Sequence, residues 1–563
     1  MNRFDWQLLR KFWAIAKLYW QSSEKRGAWV LLVLLGILSL SVSGLNVAIS
    51  FVGRFFQNAL VAKNQPEFWR YLFIYAGVFV VGTPIVVIYR FVNRKLGIYW
   101  RQWLTGHFLE KYFSNRAYYE INADDKVDNP DQRIADDVRS FTVTSLSFLL
   151  IIIGNAIDLI SFSGILWSIS VPLTLVLVGY SILGTIGTLL LGKRLIKLNF
   201  DQLRYEGNFR YGLVHVRDNA ESIAFYGGEE QEFQQIRNRF RDVFRNFNLL
   251  IGWQRNVDFF TTGYGYLTII VPTVVVAPMF FRGEIDFGAI TQASFAFRQI
   301  LEALSIIVNQ IEQITAFSAG VNRLAVFTDT LETNSLTQQD NTRKIDVVEE
   351  DRLSLDRLTL QTPGGKQVLI QDLSLVVEPG QGLLVVGPSG TGKSSLLRAI
   401  AGLWNTGTGR LGRPGLVEMM FLPQRPYMLL GTLREQLLYP GGLEVSDRQL
   451  EMVLAQVNLA DLPERVGGWD MELDWDDLLS LGEQQRLAFA RLLLQKPRYA
   501  ILDEATSALD LTNEENLYRQ LQHLGVTYLS VGHRASLRSY HDRVLELFGD
   551  TGWQIVAGEV VPT

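Results

Sequence analysis

The chain has 563 residues, of which 48% are apolar, 12% aromatic and only 20% charged, with a mean hydropathy of +0.12. Soluble globular chains carry about 25% charge, so this composition excludes a disordered chain, and 47 Gly and 16 Pro exclude a collagen-like one. A net charge of −4 gives no sign of a nucleic-acid partner, the absence of cysteine excludes disulfides, thiol catalysis and thiolate metal sites, and 5 His argue against a His-rich metal centre.

The first residues lack the apolar core and cleavage site of a signal peptide. Instead Trp6, Trp13 and Trp20 recur every seventh residue, as do Arg3, Arg10 and Lys17. This predicts a helix lying in the membrane interface. A bilayer crossing takes about 20 apolar residues. Residues 28–53 and 71–89 are uncharged, residues 140–192 hold only Asp158 and can cross twice with Pro172 near the turn, and residues 259–281 make a fifth run. The sixth, 287–317, is interrupted by Arg298, Glu302 and Glu312. Lys and Arg concentrate before the first span, between the second and third, and between the fourth and fifth, which places both termini in the cytoplasm.

In the sixth run Arg298, Glu302, Ser305, Asn309 and Glu312 follow steps of four, three, four and three, one helical face. Charge at membrane depth is costly unless it meets water or an opposite charge. Arg298, Glu302 and Asn309 are therefore expected to line a wet cavity, with Arg298 and Glu302 able to pair. Asp158 is a further cavity candidate, with a structural ion pair as its alternative. Ser39, Ser43, Asn46 and Ser50 also share a face, which suits either a cavity wall or close helix packing. The inner segments 90–139 and 193–258 exceed ordinary loops and read as helical extensions of the spans. The expected division is a membrane domain over 1–328, a polar linker over 329–350 and a second domain over 351–563.

In that second domain an apolar strand, 382–386, runs into Gly387-Pro388-Ser389-Gly390-Thr391-Gly392-Lys393-Ser394, followed by Ser395. This is the spacing of a phosphate-binding loop. Glycines let backbone N–H groups wrap the phosphates, the next helix points its positive end at them, Lys393 reaches the terminal phosphates, and the Ser394 hydroxyl holds Mg²⁺. A second strand, 499–502, ends in Asp503-Glu504, assigned to metal and to general base.

Further residues then fall in a familiar order: Gln424 after the strand 419–422, Leu479-Ser480-Leu481-Gly482-Glu483-Gln484-Gln485-Arg486, Ser507-Ala508-Leu509-Asp510, and Gly532-His533-Arg534. The set resembles an ABC-type ATPase domain. Ser480 to Gln484 is similar to the LSGGQ signature, with Leu481 where glycine is usual and Glu483 in the following place. The resemblance implies that two such domains face head to tail, each ATP lying between one copy's phosphate loop and the other copy's Ser480, Gly482 and Glu483. It also implies that Gln424 senses Mg²⁺, that Asp510 forms the D-loop and that His533 holds the γ-phosphate, Glu504 and water. Where the family stacks an aromatic on adenine, this chain has Gln361-Thr362-Pro363.

The whole is similar to half-transporters of the ABC D subfamily and to bacterial relatives of the SbmA/BacA type. The segments Asn219-Ala220-Glu221-Ser222-Ile223 and Asn129-Pro130-Asp131-Gln132-Arg133 carry that resemblance. It implies a six-helix, all-α membrane domain of the type IV exporter fold joined to an α/β P-loop ATPase domain, acting as a homodimer with ATP and Mg²⁺. Glu221 and Arg133 are the expected coupling contacts. The expected cargo is hydrophilic or amphipathic, of the cobalamin-like or peptide kind. Fatty acids or acyl-CoA are the alternative, and an ATP-gated channel is the rival class. Membrane lipid and a second copy are the expected partners, nucleic acid is not, and a bacterial inner membrane is the expected location.

Overall fold

The computed structural model describes residues 6–123, 127–304, 310–336, 345–362, 365 and 367–558, and the chain divides into two compact units, Met1–Gln339 and Asp340–Thr563.

The first unit is helical. α1 (Trp6–Trp20) is followed by α2 (Lys25–Val61), α3 (Gln65–Phe113) and α4 (Ala117–Ala123). A π-helical turn, Arg133–Asp137, leads into α5 (Val138–Ile169), then α6 (Val171–Asp218), the short α7 (Ala220–Tyr226), α8 (Glu229–Phe281), α9 (Phe287–Leu304) and α10 (Ile311–Leu336). Among the described residues, five helical segments, Lys25–Val61, Gln65–Asn122, Pro130–Ile169, Val171–Asp218 and Glu229–Phe281, are long and apolar enough to cross a membrane. The sixth expected run straddles 305–309 and so lies partly outside the described residues, between α9 and α10. At 49 residues α3 is about 70 Å long, more than twice the apolar thickness of a bilayer. The expected helical extensions of the spans are thus present.

Two cores organise the unit. One gathers Ile15, Tyr19, Trp100, Leu104, Phe108, Phe141, Val321 and Phe327 from α1, α3, α5 and α10. α1 buries Leu8, Ile15, Ala16 and Tyr19 and leaves Trp6 and Trp13 exposed, whereas Trp20 packs edge-on against Trp29 and Trp100. The heptad of tryptophans therefore splits: two face outward and the third joins the protein interior. The other core joins α5, α6, α8 and α9 through Phe162, Leu166, Leu173, Val276 and Phe297. There α6 and α8 meet closely: the Tyr180 and Tyr264 rings stack at 4.2 Å, and Tyr264 donates its hydroxyl to the Tyr180 carbonyl at 2.9 Å. Glycine makes this approach possible, since a Cβ on Gly184 would lie 2.2 Å from the Tyr264 ring and one on Gly187 2.3 Å from the Phe260 ring.

The division between Gln339 and Asp340 falls within the segment expected as linker, but elements reach into that segment from both sides. α10 continues to Leu336 because Leu324, Phe327 and Leu331 bury one face beneath an otherwise polar sequence. The second unit begins ahead of 351, because β1 (Asp346–Glu349) pairs in parallel with β5 (Gly407–Arg413).

Among the described residues the second unit holds two main sheets and a two-stranded pairing of Gly431–Thr432 with Glu472–Leu473. The smaller has the order β1-β5-β2-β3, with β2 (Leu353–Gln361) antiparallel to both β5 and β3 (Val368–Val377). The larger is built on β4 (Gly382–Val386), β6 (Met419–Leu422), β7 (Tyr499–Asp503), β8 (Thr527–Val531), β9 (Arg543–Leu547) and β10 (Trp553–Ala557), in the order β10-β9-β4-β8-β7-β6. All its pairings are parallel except β9 with β10. The central strands are buried along nearly their whole length, as a sheet covered on both faces requires. α11 (Lys393–Ile400), α12 (Leu433–Leu438), α13 (Asp447–Gln456), α14 (Leu481–Gln495) and α15 (Leu511–His523) complete the unit.

Candidate active site

Four adjacent parallel strands, β4-β8-β7-β6, each deliver a chemical group just past their carboxyl ends: the phosphate loop, His533, Asp503 with Glu504, and Gln424. Ligands of open α/β sheets bind at that edge. Gly390 and Gly392 adopt φ of 86° and 95°, a region open to glycine, and a Cβ on Gly387 would lie 2.6 Å from the Leu547 carbonyl oxygen. The loop thus folds only with these glycines. Buried Lys393 turns back into its mouth and donates to the carbonyls of Gly387 and Pro388, each at 2.8 Å. Burial lowers its pKa, against the pull of the Glu504 and Asp503 charges.

Glu504 is held at both carboxylate oxygens. Oε2 accepts from Gln424 Nε2 at 2.9 Å, and Oε1 lies 3.2 Å from His533 Nε2. Its backbone takes φ of 49°, a left-handed conformation that a non-glycine residue keeps only where its surroundings impose it. Here the Glu504 N–H is fixed on the Val531 carbonyl at 3.0 Å. The geometry of a positioned base is in place: the carboxylate is aimed by an amide and an imidazole drawn from neighbouring strands. Asp503 is pushed above the usual carboxylate range by burial and by the Glu504 charge, opposed by a hydrogen bond from Ser394. The donors expected for Mg²⁺, the Ser394 hydroxyl, the Asp503 carboxylate and the Gln424 amide, are all hard oxygen ligands, and Ser394 already touches Asp503. The set fits that ion, whose contribution when bound is to neutralise charge on the phosphates.

Ser480 caps α14 and Glu483 completes the capping box, with Ser480 Oγ donating to Glu483 Oε2 at 2.9 Å. Gly482 packs against the D-loop, where an added Cβ would sit 3.0 Å from the Ala508 carbonyl oxygen. Asp510 caps α15, accepting from the Asn513 N–H at 2.7 Å.

Three participants escaped sequence reasoning. Gln485 is buried and donates through Nε2 to the Gln424 carbonyl at 2.9 Å and to Ser507 Oγ at 3.2 Å, while its Oε1 accepts from the Ala508 N–H at 3.0 Å. One amide therefore ties α14 to the Gln424 loop and to the D-loop. Arg534, beside His533, pairs with the fully buried Glu514 at 3.2 Å and donates to the carbonyls of Ser507 and Leu509. Arg465 binds Glu483 Oε1 at 2.6 Å. The partners of Gln485 are largely backbone atoms, and the two charge pairs join residues far apart in sequence, so no local pattern announces them. Pro363, expected near adenine, lies outside the described residues.

In the membrane unit, Arg133, expected as a coupling contact, does not stand free on the surface. It is buried, donates to Asp137 at 2.8 Å and to Asp128 at 2.5 Å, and Arg323 closes on the same Asp137 at 2.9 and 2.5 Å. Its charge is consumed by neighbours within the unit. Glu221 stands exposed on α7, followed by Phe225 and Tyr226, which are 81% and 90% exposed. Arg298 and Glu302 lie on the exposed face of α9, opposite buried Ala289, Ala293 and Ala296. They do not pair with one another among the described residues, and the Arg298 guanidinium sits 5.5 Å over the Phe295 ring. Asp158 keeps a buried Oδ1 with no hydrogen-bond partner among the described residues. Asn309 lies outside the described residues. Ser39, Ser43 and Ser50 are buried, and Ser39 Oγ lies 3.8 Å from a Cβ built on Gly154, so this stripe packs helices. An unexpected cluster ties the end of α2 to the start of α9: Arg54 grips Asp286 at 2.7 Å and Gln292 at 3.2 Å.

A helical membrane unit followed by a parallel-sheet unit with this edge of phosphate loop, acidic pair, glutamine and histidine defines an ABC transporter. The family model described as ABC transporter transmembrane region 2 matches residues 15–281, and that described as ABC transporter matches residues 370–507. An uncharacterized ABC transporter ATP-binding protein of Synechocystis is 51% identical over 94% of this chain and 81% of its own length. The chloroplastic ABC transporter D family member 2 of Arabidopsis thaliana is 42% identical over 96% of this chain and 86% of its own. The human lysosomal cobalamin transporter ABCD4 is 32% identical over 98% and 97%. This chain belongs to the D family of ABC transporters, integral membrane proteins that couple ATP hydrolysis to transport.

Proposed function

We propose that the chain is half of a homodimeric, six-span transporter of the type IV fold. It moves a hydrophilic or amphipathic solute of the cobalamin-like or peptide class by alternating access across a bacterial inner membrane, with both termini cytoplasmic. One membrane unit and one ATPase unit per chain support the dimer, because Ser480 and the phosphate loop would then complete each other's sites across the pair. The observation that carries the catalytic part is Glu504 held between Gln424 and His533. Glu504 polarises the attacking water, His533 and Gln424 keep its carboxylate aimed, Lys393 and the loop N–H groups hold the phosphates, and Ser394 with Asp503 would hold Mg²⁺. Intact catalytic groups favour cycling hydrolysis over an ATP-gated channel.

The cargo reading rests on Arg298 and Glu302, exposed and mutually unpaired on α9, and on the unpartnered Asp158 oxygen. Polar groups so placed match a polar solute better than an acyl chain. The name of the human relative supplies cobalamin as the first compound to try.

In lipid vesicles, Glu504→Gln is expected to retain ATP and lose turnover by about 10²–10⁴-fold, and hydrolysis at the parental rate would overturn the assignment. Uptake of cobalamin or a peptide by Arg298→Leu/Glu302→Leu vesicles should fall while ATP binding persists. Unchanged uptake would remove the cavity reading.

A further inference from the structure

The start of α14 presents Ser480 to the nucleotide in the head-to-tail arrangement proposed above, on which this inference rests. In the structure that end of the helix is already engaged. The Ser480 hydroxyl proton is directed to Glu483 Oε2 at 2.9 Å, and the Ser480 N–H donates to the same oxygen at 3.0 Å. The positive end of a helix attracts one negative group, and here it holds its own carboxylate. A γ-phosphate approaching Ser480 therefore meets a like charge and a hydroxyl committed elsewhere.

The other oxygen of the same carboxylate, Oε1, is bound by Arg465 Nη2 at 2.6 Å. Arg465 ends the short helix Leu462–Arg465, is 43% exposed at its side chain, and among the described residues is shared only with Asp461, 3.7 Å away. It is the one cation paired with Glu483 among the described residues. Burial works to raise the Glu483 carboxyl, but the Arg465 and Ser480 hydrogen bonds outweigh it and hold the group below its usual range, so it meets the nucleotide ionised. Placing the LSGGQ signature on Leu479 to Glu483 puts this charge where that signature has a neutral glutamine. The chain thus carries an extra negative charge at the signature and a guanidinium beside it.

We propose that Arg465 is a positioning residue for ATP: it draws the Glu483 carboxylate off Ser480 and neutralises it, freeing the Ser480 hydroxyl and the helix end for the γ-phosphate. Exposure leaves the arginine room to move with the carboxylate. The pair then sets the affinity for the nucleotide, while the chemical step stays with Glu504.

The full-length protein in lipid nanodiscs, assayed for ATP hydrolysis across ATP concentrations, tests this. Arg465→Ala is expected to raise the KM for ATP about tenfold, the order of one uncompensated charge at a half-exposed site, with kcat changed far less. Arg465→Lys, which keeps the charge, should stay near the parental KM. Adding Glu483→Gln to Arg465→Ala should restore most of the lost affinity, a rescue that a purely architectural arginine would not allow. An unchanged KM in Arg465→Ala, or no rescue by Glu483→Gln, overturns the proposal. Ser480→Ala separates the two readings. If it raises the KM while Arg465→Ala does not, only the role of Arg465 falls. If Ser480→Ala leaves the KM untouched, the head-to-tail arrangement falls with it.

Discussion

Removing the Asp137 carboxylate should unfold the membrane unit at lower temperature. Asp137 and Arg133 are 8% and 6% exposed at their side chains, and Asp137 receives hydrogen bonds from both Arg133 and Arg323. Asp137→Ala strands the Arg133 guanidinium, whose remaining partner Asp128 is 77% exposed, whereas Arg323, at 43%, can reach water. Breaking one partner of a buried pair costs about 3–5 kcal/mol, and the hydrated Arg323 places this case near the lower figure. Spread over a unit that runs from Met1 to Gln339, a loss of roughly 3 kcal/mol corresponds to a melting temperature lower by roughly 4 °C. The assay is the thermal unfolding of full-length protein in detergent, followed by size-exclusion chromatography. The pairing of Arg133→Met with Asp137→Leu should recover much of the loss, since apolar replacement of a buried pair is nearly neutral. If Asp137→Ala melts within about 1 °C of the parent, below one kcal/mol on that scale, the buried triad does not hold the unit together. If it instead uncouples ATP hydrolysis from transport at unchanged stability, the expectation that Arg133 is a coupling contact returns.

Gly184→Ala places a methyl 2.2 Å from the Tyr264 ring, and the forced separation of α6 from α8 should destabilise by about 1–3 kcal/mol, read in the same melt. Gln485→Leu should lower kcat with little change in the KM for ATP, because its amide fixes the Gln424 loop and the D-loop rather than the nucleotide; a changed KM at constant kcat would contradict this. His541 is buried, donates from Nδ1 to the Leu537 carbonyl, and lies 2.8 Å from Ser530 Oγ through Nε2, and burial lowers its pKa from 6.5 to about 4. The unfolded chain takes up a proton that the folded one refuses, so stability is full above about pH 6.5 and falls toward pH 4, by roughly 3 kcal/mol. Melting of the full-length protein from pH 7.5 to 5 should show that slope, and His541→Phe should flatten it.

Much of the site was legible along the chain because its parts are local. A phosphate loop needs glycines at fixed spacing after an apolar strand, and Gly387 to Ser394 supplies both in one octapeptide. Hydropathy is a running property, so the long spans declared themselves residue by residue. Other signals misled for equally physical reasons. Residues 329–336 have a linker's composition, yet one apolar side chain per turn, ending in Leu331, was enough to keep α10 going. The serine face of α2 satisfied two readings, and only the position of Gly154 decided for packing.

What the amino-acid order determined by itself was therefore the kind of molecule: a charge-poor membrane unit and an α/β ATPase unit, with Lys393, Asp503, Glu504 and His533 as candidate site residues. Tertiary structure alone decided how charged side chains are matched. Arg133 carries the same charge whether it meets a partner protein, water or Asp137, and the third member of its cluster, Arg323, stands 186 residues from Asp137. Glu483 reads as a variant signature residue until Arg465 is seen beside it. Apolar burial leaves a period in the sequence because it repeats along one element, whereas the pairing of single charges depends on which elements the fold brings together.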